Sequence, residues 1–146
     1  IFTIFAELIG NVHDHSDTPL DAFAALQTYP QGNRVTVAVS DSGIGIMQSL
    51  RPALVGERWH DLSDTDLLVE IFREGLSSKH EDKRGLGLKS SARHAIRFKA
   101  DLDVRLPNQR VLLKPSRDQY RASTAHTQEG LPLVWGTHIS FSLNLG

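Results

Sequence analysis

RVTVAVSDSGIGI, residues 34–46, decides the fold. Arg34 to Ser40 alternates β-branched residues with small or polar ones, the pattern of a strand with one buried face. DSGIGI then breaks the alternation. Gly43 and Gly45, one residue apart, permit positive φ or close backbone approach. Upstream, residues 2–15 read as an amphipathic helix whose apolar face is Phe5, Leu8, Ile9 and Val12. Between them, Asp14 to Gly32 reads as a polar connection with a short helical piece, DAFAALQ (21–27), ended by Pro30 and Gly32. Downstream, residues 47–84 are the least regular part. Ser63 or Asp64 caps a helix through Phe72, with Leu67, Leu68, Ile71 and Phe72 as its apolar face. Gly75 to Gly85 is a small, polar, basic loop. Leu88 to Phe98 is a second amphipathic helix on Leu88, Ala92, Ala95 and Ile96. DLDVRL-PNQ-RVLLKP (101–115) is a hairpin, and YRASTAHT and THISFSLNL are later strands around EGLPLVWG. Helices followed by antiparallel strands predict a two-layer α/β sandwich: a mixed, mostly antiparallel sheet covered on one face by helices.

The 146 residues fit one domain. Lys plus Arg total 16 against 17 Asp plus Glu, so the chain lacks the basic excess of a nucleic-acid or membrane-surface binder. The absence of cysteine excludes disulfides and thiolate chemistry, and it fits a reducing, cytoplasmic setting. No apolar run approaches the roughly 20 residues that span a bilayer. The chain opens inside a helical pattern without Met, as an excised domain would. Tyr29, Trp59 and Trp135 read as packing residues.

Four stretches can carry chemistry. Glu7, Asn11 and His15 are four apart and share one stripe of the first helix. An amide oxygen there suits Mg²⁺, which takes few protein ligands. A carboxylate one turn away can orient or deprotonate water. The same spacing also suits a solvent-facing polar stripe. Asp41, at a strand end, accepts hydrogen bonds only, so it can take one from an exocyclic amine such as adenine N6; a tight turn capped by Asp41 fits equally. Arg84-Gly85-Leu86-Gly87-Leu88 opens a helix, where backbone N–H groups and the helix dipole favour phosphate; a plain flexible helix start is the alternative. Ser77, Ser78, Lys79, Lys83 and Arg84 before it suit a polyphosphate lid or an ordinary solvated loop. Gly136-Thr137 opens the last strand and by itself says little. There is no G-x-x-x-x-G-K-[ST] and no third glycine for G-x-G-x-x-G, and the glycines at 43 and 45 precede no clear helix.

In this order the four stretches resemble the GHKL superfamily of histidine-kinase-like ATPase domains, which includes histidine kinases, DNA gyrase, a heat-shock chaperone and mismatch-repair ATPases. ELIGNVHDHS (7–16) looks like its N-box, DSGIGI (41–46) its G1 box, GLGL (85–88) its G2 box, and GTHISFSL (136–143) the last box and final strand. The likeness spans residues 7 to about 143 and implies one ATP-binding domain over 1–146, with 46–84 as lid and connecting region. It implies that Asn11 binds Mg²⁺ bridging the phosphates, that Asp41 reads the adenine amine, and that Gly43, Gly45 and Ile46 shape that pocket. Gly85, Leu86, Gly87 and Leu88 would hold phosphates, with Lys79 and Arg84 in the lid. Thr137 would sit near the base, His15 would belong to the binding stripe, and Glu7 would activate water in the ATPase branches or be a phosphate-side polar residue in the kinase branches. His15 followed by Ser16 is closer to bacterial kinase and anti-sigma-type members than to gyrase.

The sequence departs from the kinase pattern in three ways. It has no H-box histidine, no dimerisation helix pair, and only Phe72 in place of an F-box phenylalanine pair. The strand that usually precedes the N-box helix is missing or lies outside this segment. The leading expectation is ATP·Mg²⁺ binding with phosphoryl transfer to a protein, as in a histidine kinase or anti-sigma-type kinase. The alternatives are an ATPase that drives conformational change and a non-enzymatic nucleotide-binding module. A protein phosphoacceptor or regulatory partner is expected, while nucleic acid and membrane contact are not. Dimerisation would run through regions outside this segment.

Overall fold

The computed structural model describes residues 4, 6–10, 22–76 and 86–146. Helical residues 4 and 6–10 form α1. The strands are β1 Phe23–Tyr29, β2 Arg34–Ser40, β3 Asp101–Arg105, β4 Arg110–Leu113, β5 Pro115–Ser116, β6 Gln119–Tyr120, β7 His126–Gln128 and β8 His138–Asn144. The remaining helices are α2 Ile46–Leu50, α3 Asp64–Glu74 and α4 Leu86–Arg97.

Among the described residues, one six-stranded sheet runs β1-β2-β8-β3-β4-β7, and β5 pairs with β6 beside it. Every pairing in the large sheet is antiparallel. The period-two pattern sets the register. Val37 and Leu102 both lie opposite Phe141, while Val39 and Val104 both lie opposite Ile139. Val35, Val37, Val39, Leu102, Val104, Val111, Leu113, Ile139, Phe141 and Leu143 are all buried, giving one apolar face.

The helices cover that face. Leu67, Leu68, Val69, Ile71 and Phe72 of α3 are buried, as are Leu88, Ala92 and Ala95 of α4 and Ile4 and Leu8 of α1. The Phe72 ring meets Phe141 edge-on, centroids 6.3 Å apart at 86°, a favoured aromatic geometry. The other sheet face is polar, with Thr36 and Ser142 hydroxyls 3.0 Å apart and Arg110 paired to Asp103. The expected two-layer sandwich is therefore the observed fold.

α3 starts and stops on local signals. The Ser63 hydroxyl accepts from the Asp66 N–H at 3.1 Å, and Asp64 and Asp66 occupy the positive end of the helix. Gly75, at φ 72°, closes it by donating to the Ile71 carbonyl at 3.0 Å.

Several local expectations are corrected. DAFAALQ is not helical: residues 23–29 form β1, paired from Phe23↔Ser40 to Tyr29↔Arg34. A turn over Pro30–Gly32 with Asn33 at φ 45° folds this segment back on β2, and the hairpin ladder overrides weak helical propensity. A short helix does follow the paired glycines, since α2 begins at Ile46. YRASTAHT is split into the end of β6, a turn over Ala122–Thr124 and the start of β7. Ile9 of α1 is 39% exposed, and Ile4 rather than Ile9 shares the buried face with Leu8. Trp135 is 58% exposed and does not pack. Trp59 does pack against the core, with the Arg58 guanidinium over its ring, and Tyr29 carries Arg34 over its ring at 4.3 Å.

Candidate functional site

β2 ends at Ser40 and delivers Asp41 beside the start of β8. The Asp41 N–H donates to the Thr137 carbonyl at 3.2 Å, extending the β2–β8 ladder by one rung. Asp41 is 5% exposed, and its Oδ1 accepts from the Gly43 N–H at 2.8 Å. The turn-capping role therefore uses one carboxylate oxygen. The other, Oδ2, meets no donor among the described residues. A buried carboxylate oxygen costs free energy unless a donor reaches it.

Thr137 stands next to it, 4% exposed. Its Oγ1 accepts from the Ile46 N–H at 2.8 Å, fixing the first turn of α2. A hydroxyl that accepts still has its own hydrogen to donate. Asp41 and Thr137 thus offer an acceptor and a donor side by side at the strand ends.

This closeness depends on Gly136. A Cβ there would lie 2.0 Å from the Asp41 carbonyl oxygen and 2.8 Å from Oδ1, and its φ is +92°. Gly45 is also at positive φ, +89°, but a Cβ there would meet Pro107 Cγ at 3.5 Å and the Gly136 carbonyl oxygen at 3.6 Å, ordinary contacts. Conformation demands glycine at 45; conformation and space both demand it at 136. A cavity of about 390 Å³ opens beyond Ile44 and Gly45 toward Pro107 and Asn108 at the β3–β4 turn. Asp41 and Thr137 do not line it. Asp64 at its rim is held by Arg51 at 2.6 Å and by the Gln109 amide at 2.5 Å.

A second polar contact joins α1 to α4. The Ser91 hydroxyl donates to Glu7 Oε2 at 2.8 Å. Ser91 is fully buried and Glu7 half-buried.

Residues 1–146 match the family described as histidine kinase-, DNA gyrase B- and HSP90-like ATPase. The chain belongs to this family. It is a GHKL-type ATPase domain. The ATPase region of Saccharomyces cerevisiae topoisomerase II bound to ICRF-187 (dexrazoxane) aligns with 98% of this chain and 37% of its own, at TM-score 0.56 and 16% identity. The same yeast region in a second structure aligns with 97% of this chain and 36% of its own, at TM-score 0.55 and 15% identity. The 43K ATPase domain of Thermus thermophilus gyrase B in complex with an aminocoumarin aligns with 94% and 32%, at TM-score 0.52 and 16% identity. Likeness at this identity shows a shared fold, and this chain spans about a third of the length of those structures. No curated protein matches the sequence.

In this GHKL domain, Asp41, Gly43, Gly45, Ile46 and Thr137 come together as one cluster. Leu86 and Gly87 begin α4. Leu88 follows, 1% exposed; its side chain belongs to the core, so only its backbone could meet a phosphate. Asn11, His15, Lys79, Arg84 and Gly85 lie outside the described residues. Among those described, no group of three or more His, Asp or Glu side chains could hold a metal ion, and no helix is long and apolar enough to cross a membrane. Sequence reasoning misses Ser91, one of several small residues on an amphipathic helix, and places Gly136 only as the start of the last box, without the close approach to Asp41 that requires it. The signal at Gly136 is a glycine two residues before β8, the strand that pairs with β2 and so lies beside Asp41.

Proposed function

We propose that this domain binds ATP·Mg²⁺ and transfers the γ-phosphoryl group to water. The observation that supports it most is the buried Asp41 carboxylate, with one oxygen spent on Gly43 and the other meeting no donor among the described residues, beside the Thr137 hydroxyl. An adenine edge presents that complement, an exocyclic amine next to a ring-nitrogen acceptor. The glycine-led start of α4 offers backbone N–H groups and a positive dipole end to the phosphates. Asn11 would hold the metal, and Mg²⁺ when bound neutralises charge across the phosphates.

Glu7 is the base. Its carboxylate takes a proton from water as the water oxygen bonds to the γ-phosphorus. The bond from that phosphorus to the β,γ-bridging oxygen breaks with its electron pair left on ADP, and the proton on Glu7 passes to solvent. A second acceptor, a protein side chain, is favoured by the ELIGNVHDHS stretch, closer to bacterial kinase and anti-sigma-type members than to gyrase. We place the domain in the cytoplasm.

Calorimetric titration with ATP tests the binding. The wild type should bind in a Mg²⁺-dependent way, with Asn11→Ala losing that dependence. Asp41→Asn should weaken binding by about 10- to 100-fold, the worth of a charge-assisted hydrogen bond. Glu7→Ala should cut hydrolysis to a small residual rate while keeping ATP bound. A folded wild type that ignores ATP·Mg²⁺ refutes the proposal. Labelled phosphate appearing on protein, with turnover indifferent to Glu7→Ala, favours the second acceptor.

A further inference from the structure

We propose that Ser91 is the positioning residue that aims the Glu7 carboxylate, and that it links the start of α4 to the base on α1. The inference rests on Glu7 acting as the base. Ser91 and Glu7 are 84 residues apart and meet at 2.8 Å with Ser91 as donor. In a helix, a serine hydroxyl commonly turns back to the carbonyl four residues earlier. Here the hydrogen goes across to Glu7 instead. Ser91 is fully buried among the apolar residues of α4, with Leu88, Ala92 and Ala95 around it. A buried hydroxyl in such a setting is restricted to few orientations and partners.

The consequence is geometric. A glutamate has three rotatable side-chain bonds, and a base works only when its oxygen sits within hydrogen-bond reach of the proton it takes. Anchoring Oε2 to a rigid helix fixes where the rest of the carboxylate points. Ser91 lies about 7.5 Å along the helix axis from Leu86, at 1.5 Å per residue. Any movement of the α4 start on meeting phosphate therefore carries the anchor with it. The sheet-facing residues of α4 hold the fold together, whereas Ser91 faces α1 and serves the base.

Steady-state ATP hydrolysis of Ser91→Ala, Ser91→Thr and Ser91→Cys tests this, with folding checked by circular dichroism. Ser91→Ala should lower kcat about 10-fold or more while the KM and the measured affinity for ATP stay put, because only orientation of the base is lost. Ser91→Thr should recover most of the rate through its retained hydroxyl. If the added methyl disturbs folding, Ser91→Cys, a weaker donor, should fall between Ser and Ala. In a Glu7→Ala background, Ser91→Ala should change the residual rate by less than about two-fold, since the two act as one unit. A Ser91→Ala protein that matches the wild type in kcat, or that loses rate equally with and without Glu7, overturns the role of Ser91 and leaves ATP hydrolysis standing. A wild type that binds ATP without hydrolysing it overturns Glu7 as base, and this inference with it.

Discussion

Replacing Gly136 with alanine is the sharpest perturbation of the site that leaves every polar group in place. The new Cβ would fall 2.0 Å from the Asp41 carbonyl oxygen and 2.7 Å from its carbon, so the start of β8 must retreat by more than an ångström. Three costs follow. A non-glycine residue at φ +92° costs about 1–3 kcal/mol. Breaking the Asp41–Thr137 backbone hydrogen bond costs about 1 kcal/mol. Retreat also pulls Thr137 Oγ1 away from the Ile46 N–H and unseats the first turn of α2. The total is about 2–4 kcal/mol, which lowers Tm by roughly 5–15 °C for a domain of this size. ATP affinity should fall along with stability, because Asp41 and Thr137 no longer share one edge. Gly32→Ala is the control, since a Cβ there meets nothing within 4 Å, and it should lie within about 0.5 kcal/mol of wild type. Urea melts and ATP titrations of both variants decide the matter. A Gly136→Ala protein that unfolds at the wild-type midpoint and binds ATP as tightly refutes the reasoning.

Three further outcomes follow from the fold. Ser63→Ala removes the cap on Asp66 N–H and should destabilise by about 1 kcal/mol in urea melts, whereas Ser63→Asp should restore most of it. The Tyr120 hydroxyl donates to the Ala100 carbonyl at 2.8 Å, so Tyr120→Phe strands that acceptor and should cost about 1–3 kcal/mol. Burial first and the Asp101 carboxylate second push the Tyr120 phenol well above its ordinary range. The folded state then keeps this proton where the unfolded chain releases it. The stabilisation is complete below about pH 10 and is lost as pH climbs beyond it, so the drop in urea midpoint between about pH 9 and pH 11 should shrink in Tyr120→Phe. Asp64→Ala deletes the acceptor shared by Arg51 and Gln109; because the pair is partly exposed, the loss should be about 1–2 kcal/mol by thermal melt, and a neutral result removes any structural role for this clamp.

The strands with buried alternation are legible in the sequence itself. RVTVAVS and THISFSLNL pair with each other because both carry the period that one covered face requires. The capped helix from Ser63 is legible for a similar reason: cap, acidic first turn and closing glycine all lie within one short window. β1 is not legible, because FAALQTY has no alternation and both of its faces are largely exposed; only its partner strand makes it extended. The Asp41 turn reads equally as a cap or a ligand site. Its geometry accommodates both, since a carboxylate has two oxygens and the cap uses one. Ser91 and Gly136 escape a linear reading because their meaning lies in residues 84 and 95 positions away in the chain, at Glu7 and Asp41, and no local period carries that information.

The seat of β8 between β2 and β3 has a consequence for synthesis. The β1–β2 and β3–β4 hairpins can each form as they leave the ribosome, from contacts close in sequence. They cannot join into one sheet until residues 138–144 arrive to fill the gap between them. Val37 must wait for Phe141, more than a hundred positions later, and such distant pairing slows folding. Two hairpins with bare inner edges are thus the state a nascent chain must survive, which makes that interval the one in which a chaperone or an aggregation-suppressing partner matters most.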